Sequence, residues 1–249
     1  MTKELTSGIR KFIASLILSQ ALLWISLPVL SQSAQQSAIY AYKKGTPEGT
    51  GKYYMGREIA HIMGAAGASW LERNSRQKEE NTNMAVSKFP VTNASTVADI
   101  GAGSGYYTFR IAPKVPDGKV YAVEIQDEMI TLLNNRKKEL QNKNVEIVKG
   151  DSVSPNLPDN SVDLAFMVDV YHELLYPQEM LQNISRALKK DGKLLLMEYK
   201  AEDPAVAIKA LHKMSVAQVQ KELGANGFEL VYKGEFLPIQ HLLIFKKKE

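Results

Sequence analysis

The stretch Asp99-Ile100-Gly101-Ala102-Gly103-Ser104-Gly105 decides how the rest of the chain is read. It follows a short apolar run, Val97-Ala98-Asp99-Ile100, and precedes a segment from Tyr107 with helical composition. Glycines at this handover let the chain turn sharply and let a ligand approach bare backbone. The free amides at the start of the following helix suit a polar or anionic group. A glycine triplet alone is weak evidence, but a strand before it and a helix after it are the context that supports a nucleotide-type site.

Beyond that loop the pattern is regular. Strands are expected at 119–124, 145–148, 162–168 and 193–198, and helices at 128–143, 177–189 and 215–223. Two closing strands, 228–233 and 241–246, stand close enough to pair as an antiparallel hairpin. Alternating strands and helices imply an α/β, Rossmann-like doubly wound sheet. Glu124 falls 19 residues beyond Gly105 at the end of the second strand, where a ribose-binding carboxylate belongs. Asp151 follows the third strand and could meet an adenine amino group.

Dinucleotide dehydrogenases share the strand, loop and carboxylate, but their third glycine falls where this chain has Tyr106, and Asp99 is unusual for them. Asp-x-Gly-x-Gly-x-Gly with a second-strand Glu and a third-strand Asp resembles the class I S-adenosylmethionine-dependent methyltransferases over roughly residues 96–247. The resemblance implies a seven-stranded sheet ordered 3-2-1-4-5-7-6 with the last strand antiparallel. It implies S-adenosylmethionine as cofactor, with Asp99 and the Gly101, Ala102, Gly103, Gly105 loop at its methionine end. Glu124 and Ile125 would hold the ribose side, Asp151 the adenine, and Asp169 a further part of the cofactor. Tyr54–Arg57, Gly67–Arg73, Val168–Glu173 and Leu211–Ser215 are similar to a group of bacterial methyltransferases that carry leader sequences.

Ligands of such sheets lie at the carboxyl ends of the strands. Asp169, Tyr171, His172 and Glu173 after the fourth strand, and Glu198 at the end of the fifth, should therefore face the methyl acceptor. His172 is the leading candidate for a base, since its ordinary pKa lies near 6.5. Asp169 and Tyr171 complete the catalytic candidates, and His212 is a weaker one. Tyr106, Tyr107 and Tyr171 could offer ring faces to a sulfonium. Asp169-Val-Tyr-His172 lacks the Pro-Pro segment that nucleic-acid amine methyltransferases share, and Glu198-Tyr-Lys200 replaces the Asp-Asn pair of metal-dependent catechol-type enzymes. A small-molecule acceptor, no nucleic acid and no metal are expected. The alternatives are a nicotinamide oxidoreductase and a cofactor-binding partner module without catalysis. The chain does not name the acceptor or the oligomeric state.

Toward the amino end, Arg10-Lys11 precedes an apolar run at 12–30, followed by small and polar residues. Charge, apolar run and small-residue exit describe an export signal, while about 20 apolar residues also suffice to span a bilayer. Residues 1–31 are therefore expected to be a signal peptide or membrane anchor that places the domain at or beyond the membrane, with a cytoplasmic location as the alternative. Residues 32–94 read as a linker and small helical cap, with helices at 57–63 and 69–80, Ser69 capping the second. The charged run 72–80 reads as a solvated helix face. Residues 95–249 read as the main domain. The 249 residues carry 31 basic and 27 acidic side chains, too balanced to argue for nucleic acid, and no cysteine, which excludes disulfides and thiolate chemistry.

Overall fold

The computed structural model describes residues 39–248, so the signal or anchor read at 1–31 lies outside the described residues. The chain divides into two compact units, 1–42 and 43–249. Of the first, a single strand is described, β1 (Tyr40–Tyr42). Among the described residues no helix is long and apolar enough to cross a membrane.

The second unit opens with a hairpin, β2 (Gly49–Tyr54) and β3 (Arg57–Ala60), with Tyr54 opposite Arg57. This corrects the helix expected at 57–63. Met55 and Gly56 both take positive φ, 48° and 98°, which is the backbone of a two-residue hairpin turn. Three short helices follow: α1 (Ala68–Leu71), α2 (Arg76–Glu80) and α3 (Thr82–Ser87). The single capped helix expected at 69–80 is therefore broken. Ser69 lies inside α1, whose N-cap is Gly67, and α2 ends where Asn81 turns left-handed at φ 54°.

The main sheet begins with β4 (Thr96–Ile100), followed by α4 (Thr108–Ile111), β5 (Lys119–Glu124), α5 (Asp127–Glu139) and β6 (Val145–Lys149). It continues with β7 (Val162–Val168), α6 (Pro177–Ala187), β8 (Leu188–Tyr199), α7 (Val216–Ala225), β9 (Phe228–Gly234) and β10 (Gln240–Lys247). Its order is β6-β5-β4-β7-β8-β10-β9. Counted from β4, that is the expected 3-2-1-4-5-7-6. Pairs from β6 to β8 are parallel, and β10 runs antiparallel to both β8 and β9.

Both faces of the sheet are covered, and alternate residues feed two cores. Leu164 and Phe166 of β7 pack with Leu195 and Met197 of β8 on one face. Ala165 and Met167 pack with Leu194 and Leu196 on the other. Local chemistry sets the helix ends: Pro177 occupies the first turn of α6, and the Ser215 hydroxyl accepts from Gln218 N–H at 3.1 Å at the start of α7.

Candidate active site

The glycine loop lies at the carboxyl end of β4. Gly101, Gly103 and Gly105 have φ of 74°, 56° and 79°, a region that side chains with a Cβ rarely adopt. They do different work. Gly101 to Ser104 line a cavity of about 780 Å³. Gly105 does not line it. A Cβ there would meet Phe109 and Leu133 at 2.5–2.8 Å, so this glycine lets α4 and α5 close on one another. Its assignment to cofactor contact is corrected accordingly.

Glu124 is nearly buried and holds the loop's shape. Its Oε2 accepts from Gly103 N–H at 2.8 Å, and its Oε1 accepts from Ile125 N–H at 2.7 Å and Gln126 N–H at 3.0 Å. A carboxylate offers about four lone-pair positions, so one remains for a ribose hydroxyl. Ile125, more than a third exposed, and Met129 supply apolar surface beside it. Asp151 sits at the exposed rim, its Oδ1 accepting from Val153 and Ser154 N–H at 2.8 and 2.7 Å.

Asp99 lies beneath the loop, fully buried, and accepts from the Thr108 hydroxyl at 2.6 Å. Burial, reinforced by the nearby Glu124 and opposed by the Thr108 bond, raises its pKa to about 7. Asp169, at the end of β7, has φ 54° and receives both Gln240 Nε2–H contacts, at 3.0 and 2.8 Å. Burial and the Glu80 and Glu198 carboxylates hold its pKa well above the usual carboxylate range.

The far wall is built from two 3-10 turns, Tyr171–Glu173 and Ala210–His212. His172 Nδ1 lies 2.6 Å from Glu198 Oε2, and its Nε2 lies 3.1 Å from His212 Nδ1. Burial opposes charge on His172, but the Glu198 and Glu173 carboxylates outweigh it and raise its pKa to about 10. Without another cation His172 therefore carries its proton at neutral pH, which corrects its reading as a base. Tyr171 is corrected too. Its ring is fully buried, its hydroxyl donates to Glu222 at 2.8 Å, and it does not line the cavity. Tyr106 does line the cavity, but Arg110 and Arg76 stand over its ring at 3.5 and 4.2 Å. With two guanidiniums there, that ring is no site for a further cation.

Residues 98–196 match the protein family described as a methyltransferase domain. The match covers 99 of the 249 residues and makes this stretch similar to a methyltransferase domain. An uncharacterized methyltransferase-like protein of Schizosaccharomyces pombe is 31% identical over 133 residues, 53% of this chain and 49% of that protein. The chain thus spans about half the length of that relative. A fibrillarin-like rRNA/tRNA 2'-O-methyltransferase of Methanosarcina mazei is 28% identical over 199 residues, 76% of this chain and 82% of that protein. The crystal structure of a SAM dependent methyltransferase from Aquifex aeolicus is similar with a TM-score of 0.70 and 26% identity, covering 74% of this chain and 98% of that one.

S-adenosylmethionine is the cofactor that the matched stretch and the A. aeolicus structure support, and the cradle fits it. A side chain at Gly101 or Gly103 would require positive φ, and Cβ atoms there would press on Val170 and Leu71 at 2.6–2.9 Å. The cavity volume falls within the range of about 300–1,000 Å³ usual for small-molecule and cofactor sites. Asp99, the loop backbone, Ile125, Met129 and Asp151 all line the cavity.

Sequence reasoning missed the cap's part in the site. Most of the run 72–80 is solvated as expected, but Arg76 and Glu80 within it are 3% and 0% exposed. Arg76 Nε donates to Glu80 Oε2 at 2.8 Å, and the Tyr199 hydroxyl at the end of β8 donates to Glu80 Oε1 at 2.9 Å. Glu72 accepts from Ser104 Oγ at 2.6 Å, tying the cap to the glycine loop. Arg57 donates to Glu222 at 2.9 and 3.0 Å and to the His172 carbonyl at 2.9 Å. The Arg-x-x-x-Glu spacing of Arg76 and Glu80 was the one available signal.

Proposed function

We propose that this chain is an S-adenosylmethionine-dependent methyltransferase acting on a small-molecule acceptor held between the glycine loop and the His172–His212 wall. The observation that carries the reading is continuity: one cavity reaches from Asp151 and Ile125 past Gly101–Gly103 to Glu173 and His212. Donor and acceptor can then meet without crossing solvent, and fixing two reactants in line is the main contribution such a site makes. When bound, S-adenosylmethionine supplies an electrophilic methyl group on a sulfonium.

The chain's own residues do the rest. Glu124 and the loop amides orient the cofactor end. Glu198 fixes the His172 ring, and His172, Glu173 and His212 present polar atoms to the acceptor's nucleophilic atom. Met63, Trp70 and Leu71 of the cap line the cavity and exclude water. The cap-lined cavity and the balanced charge support a small acceptor over a polynucleotide, although the M. mazei relative is named for RNA. Labelled methyl donor offered with separate small-molecule and RNA extracts tests this. Label in the small-molecule fraction is expected; label in RNA alone, or none from a chain that binds S-adenosylhomocysteine, refutes it.

The charge-then-apolar order at 10–30 supports an exported or membrane-anchored location for this activity. Cell fractionation with N-terminal sequencing tests that, and full-length protein in the soluble cytosol would refute it.

A further inference from the structure

His172, Glu173 and His212 line the cavity and bring one possible ligand atom each within 4.8 Å of one another. His172 Nε2 lies 3.1 Å from His212 Nδ1 and 3.6 Å from Glu173 Oε1, and His212 Nδ1 lies 3.3 Å from Glu173 Oε1. Donor atoms bound at the usual zinc distances in a tetrahedral site stand about 3.3 Å from one another. An octahedral site with the same bond lengths would bring neighbouring donors to about 2.9 Å, closer than any of these three pairs. The triangle therefore has the edges of a tetrahedral face.

Its surroundings match. Glu198 Oε2, 2.6 Å from His172 Nδ1, favours the proton on that nitrogen and leaves Nε2 to point at the triangle. A carboxylate behind an imidazole is the support that metal-binding histidines recurrently have. The Met63 N–H donates to Glu173 Oε1 at 3.2 Å and fixes that carboxylate. The rings of His172 and His212 meet at 79°, edge to face, with centroids 5.0 Å apart. A hydrogen bond between two imidazoles would account for the 3.1 Å contact, but it needs no carboxylate within 3.6 Å of both nitrogens.

We propose that His172, Glu173 and His212 bind one divalent transition-metal ion, zinc by the geometry, with its open position facing the cavity. Two nitrogens and one oxygen with a free fourth place is the composition of sites that take up a further ligand rather than merely brace a fold. The absence of metal was expected because the Asp-Asn pair is missing after β8; this donor set comes from other elements. On the methyltransferase reading, the open position would receive an acceptor hydroxyl or thiol, the groups whose acidity such an ion raises.

The test uses the full chain, purified without a histidine tag, stripped with a chelator and titrated with zinc chloride by calorimetry. Metal content is measured after desalting. One zinc per chain is expected, with His212→Ala and Glu173→Gln each weakening affinity by at least about tenfold. Cobalt(II) in place of zinc should give the intense visible absorption of a tetrahedral site. Failure to retain zinc, or equal affinity in the wild type and both variants, overturns the proposal. Circular dichroism of the metal-free variants shows that each is folded, and Glu173→Gln alone decides if His212→Ala is not. A chain that binds zinc this way but transfers no methyl group leaves the metal site standing and removes the function proposed above.

Discussion

Replacing Glu124 by Ala removes three hydrogen bonds at once. Gly103, Ile125 and Gln126 N–H donate to its carboxylate at 2.8, 2.7 and 3.0 Å, in a position where the side chain is nearly buried. Hydrogen bonds to a charged acceptor contribute about 1.5–3 kcal/mol each, and donors left without a partner add a desolvation cost. Water entering the open cavity would satisfy part of this, so a net loss of roughly 3 kcal/mol is expected. For a chain of this size that lowers Tm by about 6–12 °C. Glu124→Gln keeps one carbonyl oxygen, which can serve at most two of the three donors, and turns an N–H toward the third. Its stability should fall between the other two. Affinity for S-adenosylhomocysteine should drop at least about tenfold for Ala, since the ribose contact and the loop geometry go together. Thermal unfolding and isothermal titration read the two effects separately. An Ala variant with unchanged Tm would show that the three bonds contribute nothing, and one with unchanged affinity would take Glu124 out of the site.

Gly103→Val forces a β-branched residue into φ near 56°, costing about 1–3 kcal/mol, and fills the loop's ligand face. Binding of S-adenosylhomocysteine should vanish while circular dichroism stays native, and retained affinity would refute the placement. Asp99 has a folded pKa of about 7 against an ordinary 3.8. Its stabilising contribution is therefore complete below pH 4 and lost as pH rises through 7, by roughly 4 kcal/mol in all. Asp99→Asn should remove that part of the stability difference between pH 4 and pH 8 in urea unfolding; an unaltered difference would mean Asp99 is ionised throughout. Arg76→Met leaves buried Glu80 with Arg73 as its remaining cation and should cost about 3 kcal/mol. A Tm shift below about 2 °C would show that the pair is solvated.

The middle of the sheet was legible because strands such as β4 and β7 are buried on both faces. β5 and β7 have the bounds read from the sequence, each an apolar run stopped by turn residues. The cap was not legible. α1, α2 and α3 have 4, 5 and 6 residues, too few for a 3.6-residue period to accumulate. The hairpin's one local signal was Gly56. Arg76 and Glu80 looked solvated because charge in a sequence does not reveal a counter-charge and a tyrosine waiting on β8. Glu124 ends β5 as the spacing predicts, yet its three backbone partners depend on loop geometry that spacing cannot express. His172 and His212 lie 40 residues apart, and only the return of the chain between β8 and α7 brings them together. Tyr171 and Gly105 stood within the right segments but face the core, because a motif locates a backbone before it locates a side chain's direction.

The bond between Arg57 and Glu222 spans 165 residues. On a ribosome adding about 5–20 residues per second, Arg57 emerges roughly 8 to 33 s before its counter-ion exists. Glu80 waits 119 residues for Tyr199. The portion of the unit made first therefore waits for partners made much later. The arrival of α7 is the event that gives the hairpin its counter-ion, before β9 and β10 complete the sheet. A ribosome stalled before residue 222 would carry a nascent chain in which Arg57 has no carboxylate of α7 to bind.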